Sequence, residues 1–346
     1  MTSHKFSLLG FIPTLSQWCA IAMCIPLLEG AAKKEFVFEE APFPSCHAST
    51  VVELRNGELL AAWFGGAGEG KPDVAIWAAR RLATGWSKPE ELVREPNTPA
   101  WNPVLFHAKT GRLWLYYKFG TNPREWSAGR RSSDDDGKSW SAVEHLPAGI
   151  LGPIRAKPLL LGDGTIVSGS SVESYHTWAA WIERSADNGE TWTKYGPITV
   201  ADAREKADTS GIIQPSVLQI SGGHLRFYAR ATRDIGRICA SDSHDGGKTW
   251  SQARPTGLAN PNSGIDAVRL PDGRIVIVYN DTQTGRTPLN LAVSRDGEHF
   301  KNFETLENEP GEYSYPAMIV GKDGTLHITY TWNRKRIRYA RVTDFD

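Results

Sequence analysis

The stretch SDSHDGGKTW, Ser241–Trp250, decides the fold of this chain. Aspartate, glycine and serine favour tight turns, and glycine adopts positive φ at no steric cost. The spacing S-x-D-x-G-x-x-W inside it recurs in SSDDDGKSW (132–140) and SADNGETW (185–192). Shortened relatives are SRDGEHF (294–300) and ATGW (83–86). The turn is therefore a repeated element, and the recurrence of a large aromatic residue at its end indicates a structural role for the tryptophan.

A second repeated motif lies between these turns. It consists of an apolar run, a turn glycine and another apolar run, as in DAVRLPDGRIVIVYN (266–280). Apolar and polar residues alternate in these runs with a period of two, which favours strands over helices. The turn glycines follow one another at intervals of 50 to 59 residues, at Gly57, Gly111, Gly164, Gly223, Gly273 and Gly324.

The two interleaved motifs predict an all-β fold, a six-bladed β-propeller of four-stranded antiparallel blades. Each blade has one hairpin at its glycine and another at its Asp box. The N-terminal segment Glu35–Glu40 is expected to complete the last blade as its outer strand. In this fold the Asp box is scaffold, because its aspartate accepts hydrogen bonds from turn amides and its tryptophan packs against the blade.

Residues 1–32 differ from the repeats. Lys5 precedes a long apolar stretch, and a small-residue site follows at Gly30-Ala31-Ala32. This pattern predicts a signal peptide cleaved near Ala32, and hence a secreted or periplasmic protein. The alternative is an uncleaved membrane anchor. Residues 33–346 are then one propeller domain, for which we predict no membrane insertion and a monomeric state.

Charge and cysteine content exclude several function classes. Lysine plus arginine and aspartate plus glutamate both number 39, so the net charge is zero and nucleic acid is not an expected partner. Cys46 and Cys239 remain after the N-terminal segment, and they either pair or stay as buried thiols. No histidine–acid spacing indicates a metal site, and no glycine-rich loop opens a helix, so we predict no cofactor.

Polar residues stand where the innermost strand of each blade begins, beside a central funnel. A core would take apolar side chains there, so a site is predicted. The residues concerned are His47, Asn102, Arg155, Lys157, Gln214, Asp266, Tyr313 and Tyr315. Asp266 either orients His47 or Arg286 across the axis or caps a turn. His176, beside Glu173, either lines the funnel or lies on a surface loop. The basic residues Arg334, Lys335, Arg336 and Arg338 are interpreted as a solvated face.

Repeated Asp boxes on such blades resemble those of the sialidase (neuraminidase) superfamily and its BNR-repeat relatives, over about residues 35–342. Sialidases hold the substrate carboxylate with three arginines, and Arg230 and Arg286 match the second and third. The first is absent, since His47-Ala48-Ser49 stands in its place. Arg155 or Lys157 would restore the lost positive charge.

The resemblance also implies catalytic groups. Tyr315 matches the tyrosine nucleophile, with Tyr313 as its close rival. The glutamate that activates this tyrosine is replaced by Gln214. The acid/base aspartate corresponds to Asp73 or Glu69. These departures imply a divergent member whose substrate is an acidic sugar of a glycan.

Three functions follow from this pattern. The first is a glycosidase that acts on an acidic sugar, with Tyr315 as nucleophile. The second is a uronate-specific polysaccharide lyase, in which Gln214 and an arginine neutralise the carboxylate while His47 and Tyr315 move protons. The third is a carbohydrate-binding protein without turnover, whose stacking residues would be Trp101, Trp126, Trp178 and Trp181.

Overall fold

The computed structural model describes residues 1, 2, 4, 32–200 and 210–345. These residues are dominated by strands and contain no α-helix, only a short 3-10 turn at Pro123–Glu125. The prediction of an all-β fold is therefore confirmed. Within the described residues, no helix has the length and apolar character needed to cross a membrane. Apart from residues 1, 2, 4 and 32, the predicted signal peptide lies outside the described part of the chain.

The described strands form five hydrogen-bonded sheets, which are divided here for description into six antiparallel groups, called units and numbered in chain order. Unit 1 contains β2 (Ser45–Glu53), β3 (Leu59–Gly66) and β4 (Ala75–Leu82), with β5 (Gly85–Trp86) and β6 (Glu90–Val93) both paired to β4. Unit 2 contains β7 (Ala100–His107), β8 (Leu113–Phe119), β9 (Ser127–Ser133) and β10 (Glu144–His145). Unit 3 contains β11 (Leu159–Leu160), β12 (Ile166–Glu173), β13 (Thr177–Ser185) and β14 (Thr193–Ile198).

The remaining units repeat this order. Unit 4 contains β15 (Ser210–Ser221), β16 (His224–Ala231), β17 (Arg237–Ser243) and β18 (Arg254–Ala259). Unit 5 contains β19 (Asp266–Arg269), β20 (Ile275–Tyr279), β21 (Leu289–Ser294) and β22 (Lys301–Glu307). Unit 6 contains β23 (Tyr313–Val320), β24 (Leu326–Trp332), β25 (Arg336–Val342) and the N-terminal β1 (Lys33–Phe36). Short parallel pairing of β13 with β15 joins units 3 and 4 in one sheet.

Strand β1 links the beginning of the repeats to their end. It runs antiparallel to β25, with Lys33 opposite Arg341 and Phe36 opposite Arg338. The predicted pairing of the N-terminal segment with the last unit is confirmed, although the strand begins at Lys33 and ends at Phe36. First strands of different units also pack together, since β2 contacts β7 and β23, β15 contacts β11 and β19, and β19 contacts β23.

The Asp boxes lie in the hairpins between third and fourth strands, as predicted. The Asp245 carboxylate accepts hydrogen bonds from the Thr249 N–H (2.9 Å) and the Thr249 hydroxyl (2.7 Å). The Trp250 ring packs 5.1 Å from the Phe227 ring, which explains the aromatic at the end of the turn. The same carboxylate contacts recur at Asp135 and Asp187.

Four first strands, β2, β7, β15 and β23, share a bulge against the second strand of their unit. Each bulge contains a residue with positive φ: Ala48 (55°), Asn102 (34°), Gln214 (57°) and Tyr315 (52°). Such a conformation costs a non-glycine residue about 1–3 kcal/mol. Bulges redirect side chains and are common beside active sites. The scaffold therefore bends the chain at one equivalent position in four units.

Cys46 and Cys239, the two cysteines in the described part of the chain, are buried and unpaired thiols. Cys46 lies at the start of β2, while Cys239 lies on β17 of unit 4. Burial raises the pKa of the Cys239 thiol to about 12. Of the two alternatives left open by the sequence, the structure therefore has the buried thiols.

Candidate active site

Tyr315 lies at the middle of a cluster of arginines. Its side chain is buried, and its hydroxyl oxygen accepts hydrogen bonds from Arg230 Nη1 (2.5 Å) and from Gln214 Nε2 (3.4 Å). A phenol oxygen has two lone pairs, and these donors occupy both. The hydroxyl hydrogen is therefore available to donate to a ligand oxygen.

Three guanidinium groups surround the Tyr315 ring. The guanidinium carbons of Arg155, Arg230 and Arg286 lie 5.2, 5.6 and 5.6 Å from the ring centre. Burial lowers the pKa of Arg155 and of Arg286, but a guanidinium stays protonated in a protein. The cluster is consequently a concentration of buried positive charge, and it attracts an anion.

Arg230 is held in a fixed orientation. Its Nε donates to the Asn262 side-chain oxygen (2.6 Å), and Nη1 also approaches the Gln214 side-chain oxygen (3.5 Å). The indole ring of Trp178 lies 5.7 Å from its guanidinium carbon. Gln214 thus contacts both Arg230 and Tyr315, at the position where a sialidase would have a glutamate.

Arg155 lies on the segment before β11, and buried polar groups hold that segment. The Glu183 carboxylate accepts the Gly152 N–H (2.6 Å), and Asn102 Nδ2 donates to the Ile154 carbonyl oxygen (3.3 Å). The Lys118 ammonium donates to the Pro153 carbonyl oxygen. Asn102 therefore supports the segment that carries Arg155.

Lys118 is fully buried on β8. Burial lowers the pKa of its ammonium group to about 7, although the nearby Glu183 carboxylate acts in the opposite direction. A lysine so placed binds a proton much less readily than one in water.

The His47 ring packs against the Tyr315 ring, with the two ring centres 4.1 Å apart and the ring planes tilted by 49°. Its Nδ1 shares a hydrogen bond of 2.9 Å with the Thr331 hydroxyl, whereas its buried Nε2 has no partner among the described residues. Burial, reinforced by the charges of Arg334 and Arg286, holds the pKa of His47 well below its ordinary value. The imidazole is therefore neutral, and its free nitrogen belongs to the same cluster as the tyrosine.

A fourth arginine joins the cluster through a shared carboxylate. Glu312 accepts hydrogen bonds from Arg286 Nη1 (2.9 Å) and from Arg334 Nε (2.6 Å). The Nη1 atom of Arg334 in turn pairs with the Glu69 carboxylate. Burial raises the pKa of Glu312, but the charges of Arg334 and Arg286 outweigh that effect and keep the pKa below its usual range.

The interpretation of Arg334–Arg338 as a solvated face is wrong for its arginines. Arg334 belongs to the cluster around Tyr315. Arg336 lies over the Phe36 ring at 3.8 Å, and Arg338 pairs with Glu307 at 2.9 Å. Only Lys335 is exposed. Alternation along the strand indicated outward-facing charges, but these side chains cover aromatic rings and carboxylates of neighbouring strands.

Asp73 and Glu69 lie on the exposed loop between β3 and β4. The Asp73 carboxylate accepts the Ala67 N–H at 2.9 Å, which closes the loop on itself. The Asp73 carbonyl oxygen accepts from Arg94 Nη1 at 2.6 Å. Glu69 is engaged with Arg334, so Asp73 is the freer of the two acid/base candidates.

The hairpin of β12 and β13 contributes Glu173 and Trp178 from the strand ends and His176 from the turn. Glu173 is half-buried, and burial raises the pKa of its carboxyl group, opposed by the charges of Arg230 and Arg124. It is therefore a carboxyl group near the cluster that holds its proton more readily than usual. His176 is exposed on the turn, and its carbonyl oxygen accepts the Ser210 N–H (3.3 Å).

Asp266 and Lys157 are bonded to each other. The Lys157 ammonium lies 3.0 Å from both Asp266 carboxylate oxygens, and the carboxylate also accepts from the Ser216 hydroxyl (2.7 Å) and the Met318 N–H (2.8 Å). In the described residues Asp266 bonds to neither His47 nor Arg286, so the expectation that it orients one of them is wrong. The pair ties β19 to β15 and β23, and Lys157 is not an available anion ligand.

Two further sequence candidates also lie in the scaffold. Tyr313 is buried in an apolar cluster with residues of units 5 and 6, including Val278 and Ile328. Trp101, proposed as a stacking residue, is buried against Phe64. Neither side chain contributes to the group of arginines around Tyr315.

The sequence interpretation missed Arg334, Glu312 and Lys118. Arg334 lies in the turn between β24 and β25, and turns between second and third strands lie at the end of each unit where first strands begin. Asp73, Glu173 and Arg286 lie in the corresponding turns of units 1, 3 and 5. A search of every such turn for charged residues would therefore have found Arg334.

The arrangement is suited to binding an anion and to transferring protons. Four guanidinium groups gather here, and a guanidinium fork matches the planar geometry of a carboxylate, although Arg155 Nη1 and Nη2 already donate to the Ile265 and Pro316 carbonyl oxygens. Tyr315 supplies a hydroxyl and His47 a neutral imidazole beside them. No cluster of three or more potential metal ligands occurs in the described ranges.

Comparison with known proteins agrees with this architecture. The model of a family described as a BNR repeat-like domain matches residues 57–328. No curated protein sequence matches the chain. A protein of unknown function from Dyadobacter fermentans has a similar structure, with a TM-score of 0.77, 17% identity, and coverage of 90% of this chain and 98% of that one.

Two sialidase structures are also similar. The K499G mutant of the NanB sialidase from Streptococcus pneumoniae has a TM-score of 0.73 and 13% identity, covering 89% of this chain and 70% of that one. The intramolecular trans-sialidase from Ruminococcus gnavus has a TM-score of 0.69 and 14% identity, covering 90% and 97%. At these identities the likeness concerns the fold.

Proposed function

The chain belongs to the family of proteins with a BNR repeat-like domain, and on this premise we propose that it is a sialidase-like glycoside hydrolase acting on an acidic sugar of a glycan. The observation that carries the proposal is the convergence of Arg155, Arg230 and Arg286 on one tyrosine, at 5.2–5.6 Å from its ring centre. Buried guanidinium groups without a matching number of carboxylates favour an anionic ligand. A sugar carboxylate has the planar geometry that they match.

We propose further that the six units close radially into a six-bladed β-propeller. The contacts of β2 with both β7 and β23, and the pairing of β1 with β25, support a closed ring of units. In such a ring the bulged starts of the first strands face a common centre. This arrangement accounts for side chains from units 1, 3, 4, 5 and 6 meeting at Tyr315.

In the proposed reaction the arginines bind the carboxylate and fix the sugar ring over Tyr315. The Tyr315 oxygen attacks the anomeric carbon, and the sugar–oxygen bond to the leaving group breaks. Asp73 donates a proton to that leaving oxygen, and it later takes a proton from the water that releases the sugar from the tyrosine. No carboxylate lies beside the Tyr315 hydroxyl to take its proton, so in this scheme the neutral His47, packed against the ring, receives that proton and returns it to the tyrosine oxygen when water releases the sugar.

A screen of acidic glycans tests the function. Sialosides, uronate polymers and glycans with ketodeoxy sugars are incubated with the full-length protein, and products are followed as released monosaccharide and by ultraviolet absorbance. A released acidic monosaccharide, lost in Tyr315→Phe and in Asp73→Asn, is the expected result. Unchanged activity in both variants would remove these residues from the reaction, and no released sugar from any glycan would overturn the hydrolase.

A polysaccharide lyase is the second candidate, and the neutral His47 with its unpartnered Nε2 favours it. In β-elimination a base takes the proton next to the uronate carboxylate, the bond to the leaving oxygen breaks, and an acid protonates that oxygen. His47 would be the base and Tyr315 the acid. A lyase forms an unsaturated uronate with a conjugated double bond that absorbs in the ultraviolet, whereas a hydrolase does not.

Two expectations about the protein's setting complete the proposal. Secretion or periplasmic export follows from the N-terminal pattern of residues 1–32. Fractionation of expressing cells, with N-terminal sequencing of the mature chain, checks it. Recovery of an intact N-terminus in the membrane fraction would favour an anchor instead. We also propose that the domain works as a monomer without a cofactor.

A further inference from the structure

We infer that Glu69 occupies the place on Arg334 that a substrate carboxylate takes, so that binding of an acidic sugar exchanges one carboxylate for another. The inference rests on the proposed function, because it concerns the same site. It assigns Arg334 as a specificity-determining residue and Glu69 as an internal competitor of the substrate.

The position of Arg334 is fixed by its turn. Asn333 and Arg334 both have positive φ, at 51° and 58°, and the Arg334 carbonyl oxygen accepts the Cys46 N–H at 2.9 Å. The Asn333 side-chain oxygen accepts the Glu312 N–H at 2.8 Å. Two successive left-handed residues are strained unless their surroundings hold them. The turn is therefore docked against the start of β2, the strand that carries His47, and against the segment before β23.

The two carboxylates bound to Arg334 differ in how firmly they are held. Glu312 also accepts hydrogen bonds from Arg286 Nη1 (2.9 Å) and the Ser314 hydroxyl (3.1 Å). Glu69 is 41% exposed and has, among the described residues, a hydrogen bond to Arg334 alone. Exposed ion pairs are weak because water competes for both charges. Glu69 is thus the carboxylate that a ligand can displace.

The remaining donors of Arg334 suit such an exchange. Its hydrogen bonds to protein use Nε and Nη1, so in the described part of the chain both N–H groups of Nη2 are unused. A sugar carboxylate would bind Nη1 and Nη2 side by side, which is the strong bidentate geometry. Displaced Glu69 returns to solvent on the loop that also carries Asp73.

Binding measured by calorimetry on the full-length protein tests the inference. The probes are free N-acetylneuraminate, glucuronate and galacturonate. Arg334→Ala is expected to weaken the binding of the acidic sugar about tenfold or more. Glu69→Gln is expected to tighten it several-fold, because the competitor is removed. When Glu69→Gln is combined with Arg334→Ala, it is expected to give no increase in affinity for the acidic sugar, because its effect acts through Arg334.

Matched variants separate this exchange from general charge effects. Lys335→Ala removes one positive charge from the same turn, and Glu39→Gln removes a carboxylate that pairs with Arg336. Both are expected to bind like the unaltered protein, and thermal melts confirm that each variant is folded. The inference, but not the proposed function, would be overturned if Glu69→Gln bound the acidic sugar more weakly. The same would follow if Glu69→Gln increased the affinity equally with and without Arg334. Failure of the unaltered protein to bind any of the three probes would overturn the inference and the proposed function together.

Discussion

Arg230 donates a hydrogen bond of 2.5 Å from Nη1 to the hydroxyl oxygen of Tyr315. The two residues come from units 4 and 6, so the contact joins parts of the chain that are 85 residues apart. The guanidinium that would bind a substrate carboxylate therefore also positions the group that would attack the sugar. A ligand carboxylate on Arg230 would consequently change the environment of the reacting oxygen directly.

Replacement of Arg230 by lysine keeps the charge but loses the fork of donors. Lysine cannot bond to Tyr315, Asn262 and a carboxylate with fixed geometry. We expect kcat/KM toward the acidic substrate to fall about 100-fold, and by a similar factor in Arg230→Gln. Steady-state kinetics on the substrate identified by the screen check this. Near-normal kcat/KM in Arg230→Lys would mean that charge alone is required.

Gln214→Glu places a carboxylate beside the Tyr315 hydroxyl, 3.4 Å from the present amide nitrogen. The new carboxylate would accept a hydrogen bond from Arg230 and the proton from the tyrosine. For a hydrolase we expect faster turnover of sialosides. For a lyase we expect slower elimination, because a second carboxylate repels the uronate. Turnover rates of the variant and the unaltered protein on both substrate classes distinguish the two reactions.

His47 makes the free energy of unfolding depend on pH in the acidic range. Its pKa is lowered in the folded state, so the unfolded chain binds the additional proton when the pH falls below about 6.5. Above that pH the neutral His47 has no effect on the free energy of unfolding. Below it the free energy of unfolding decreases, by at most about 1.4 kcal/mol per pH unit for one group. His47→Asn should flatten this part of the curve. Urea unfolding between pH 4 and 8 (roughly the range in which histidine titrates) measures the difference in slope.

Lys118 produces a similar effect at alkaline pH. The pKa of its ammonium group is about 7 in the folded protein, whereas in the unfolded chain it is about 10.4. Between these values the unfolded chain binds the extra proton, so the stability of the folded protein rises with pH. Lys118→Met should lack this rise while it keeps the volume of the side chain. Parallel slopes for both proteins across that range would show that Lys118 is charged in the fold.

Asp266→Asn tests the structural role of its ion pair with Lys157. The change leaves the half-buried ammonium of Lys157 without its carboxylate, and its cost in unfolding free energy stays below the value of about 3–5 kcal/mol for a fully buried pair. Lys157→Met is expected to cost less, since Asp266 keeps its other donors. Both variants should retain the kcat of the unaltered protein per folded molecule. A loss of kcat in folded Asp266→Asn would restore the catalytic interpretation.

The repeats could be predicted from the sequence because a turn is determined by residues that are close together in the chain. Glycine and Asp-box spacing fixed the register of each unit, and that register placed His47, Gln214, Arg230 and Tyr315 at equivalent ends of their strands. Side-chain direction was harder to predict where neighbouring units meet. Lys118, in the strand LWLYYKF, was given no role from the sequence, but its ammonium group lies in the contact between units 2 and 3, where it donates to the Pro153 carbonyl oxygen.

Asp266 and Arg334 show a second reason for error. Both were interpreted from their own strand, whereas their partners come from other units. Lys157 is 109 residues away from Asp266, and Glu69 is 265 residues away from Arg334. Pairing between charged residues so far apart depends on how distant units pack together, which no local pattern contains.

Because the first strands share this bulge, Ala48 is a position at which a new side chain could be introduced. It occupies, in unit 1, the backbone position that carries Asn102, Gln214 and Tyr315 in other units, but it has only a methyl group. One bulge residue can thus be replaced while the strand that carries it stays the same. Ala48→Asn, a residue that tolerates positive φ, would add a polar side chain at a fourth such position, and the reaction could be altered while the repeats remain unchanged.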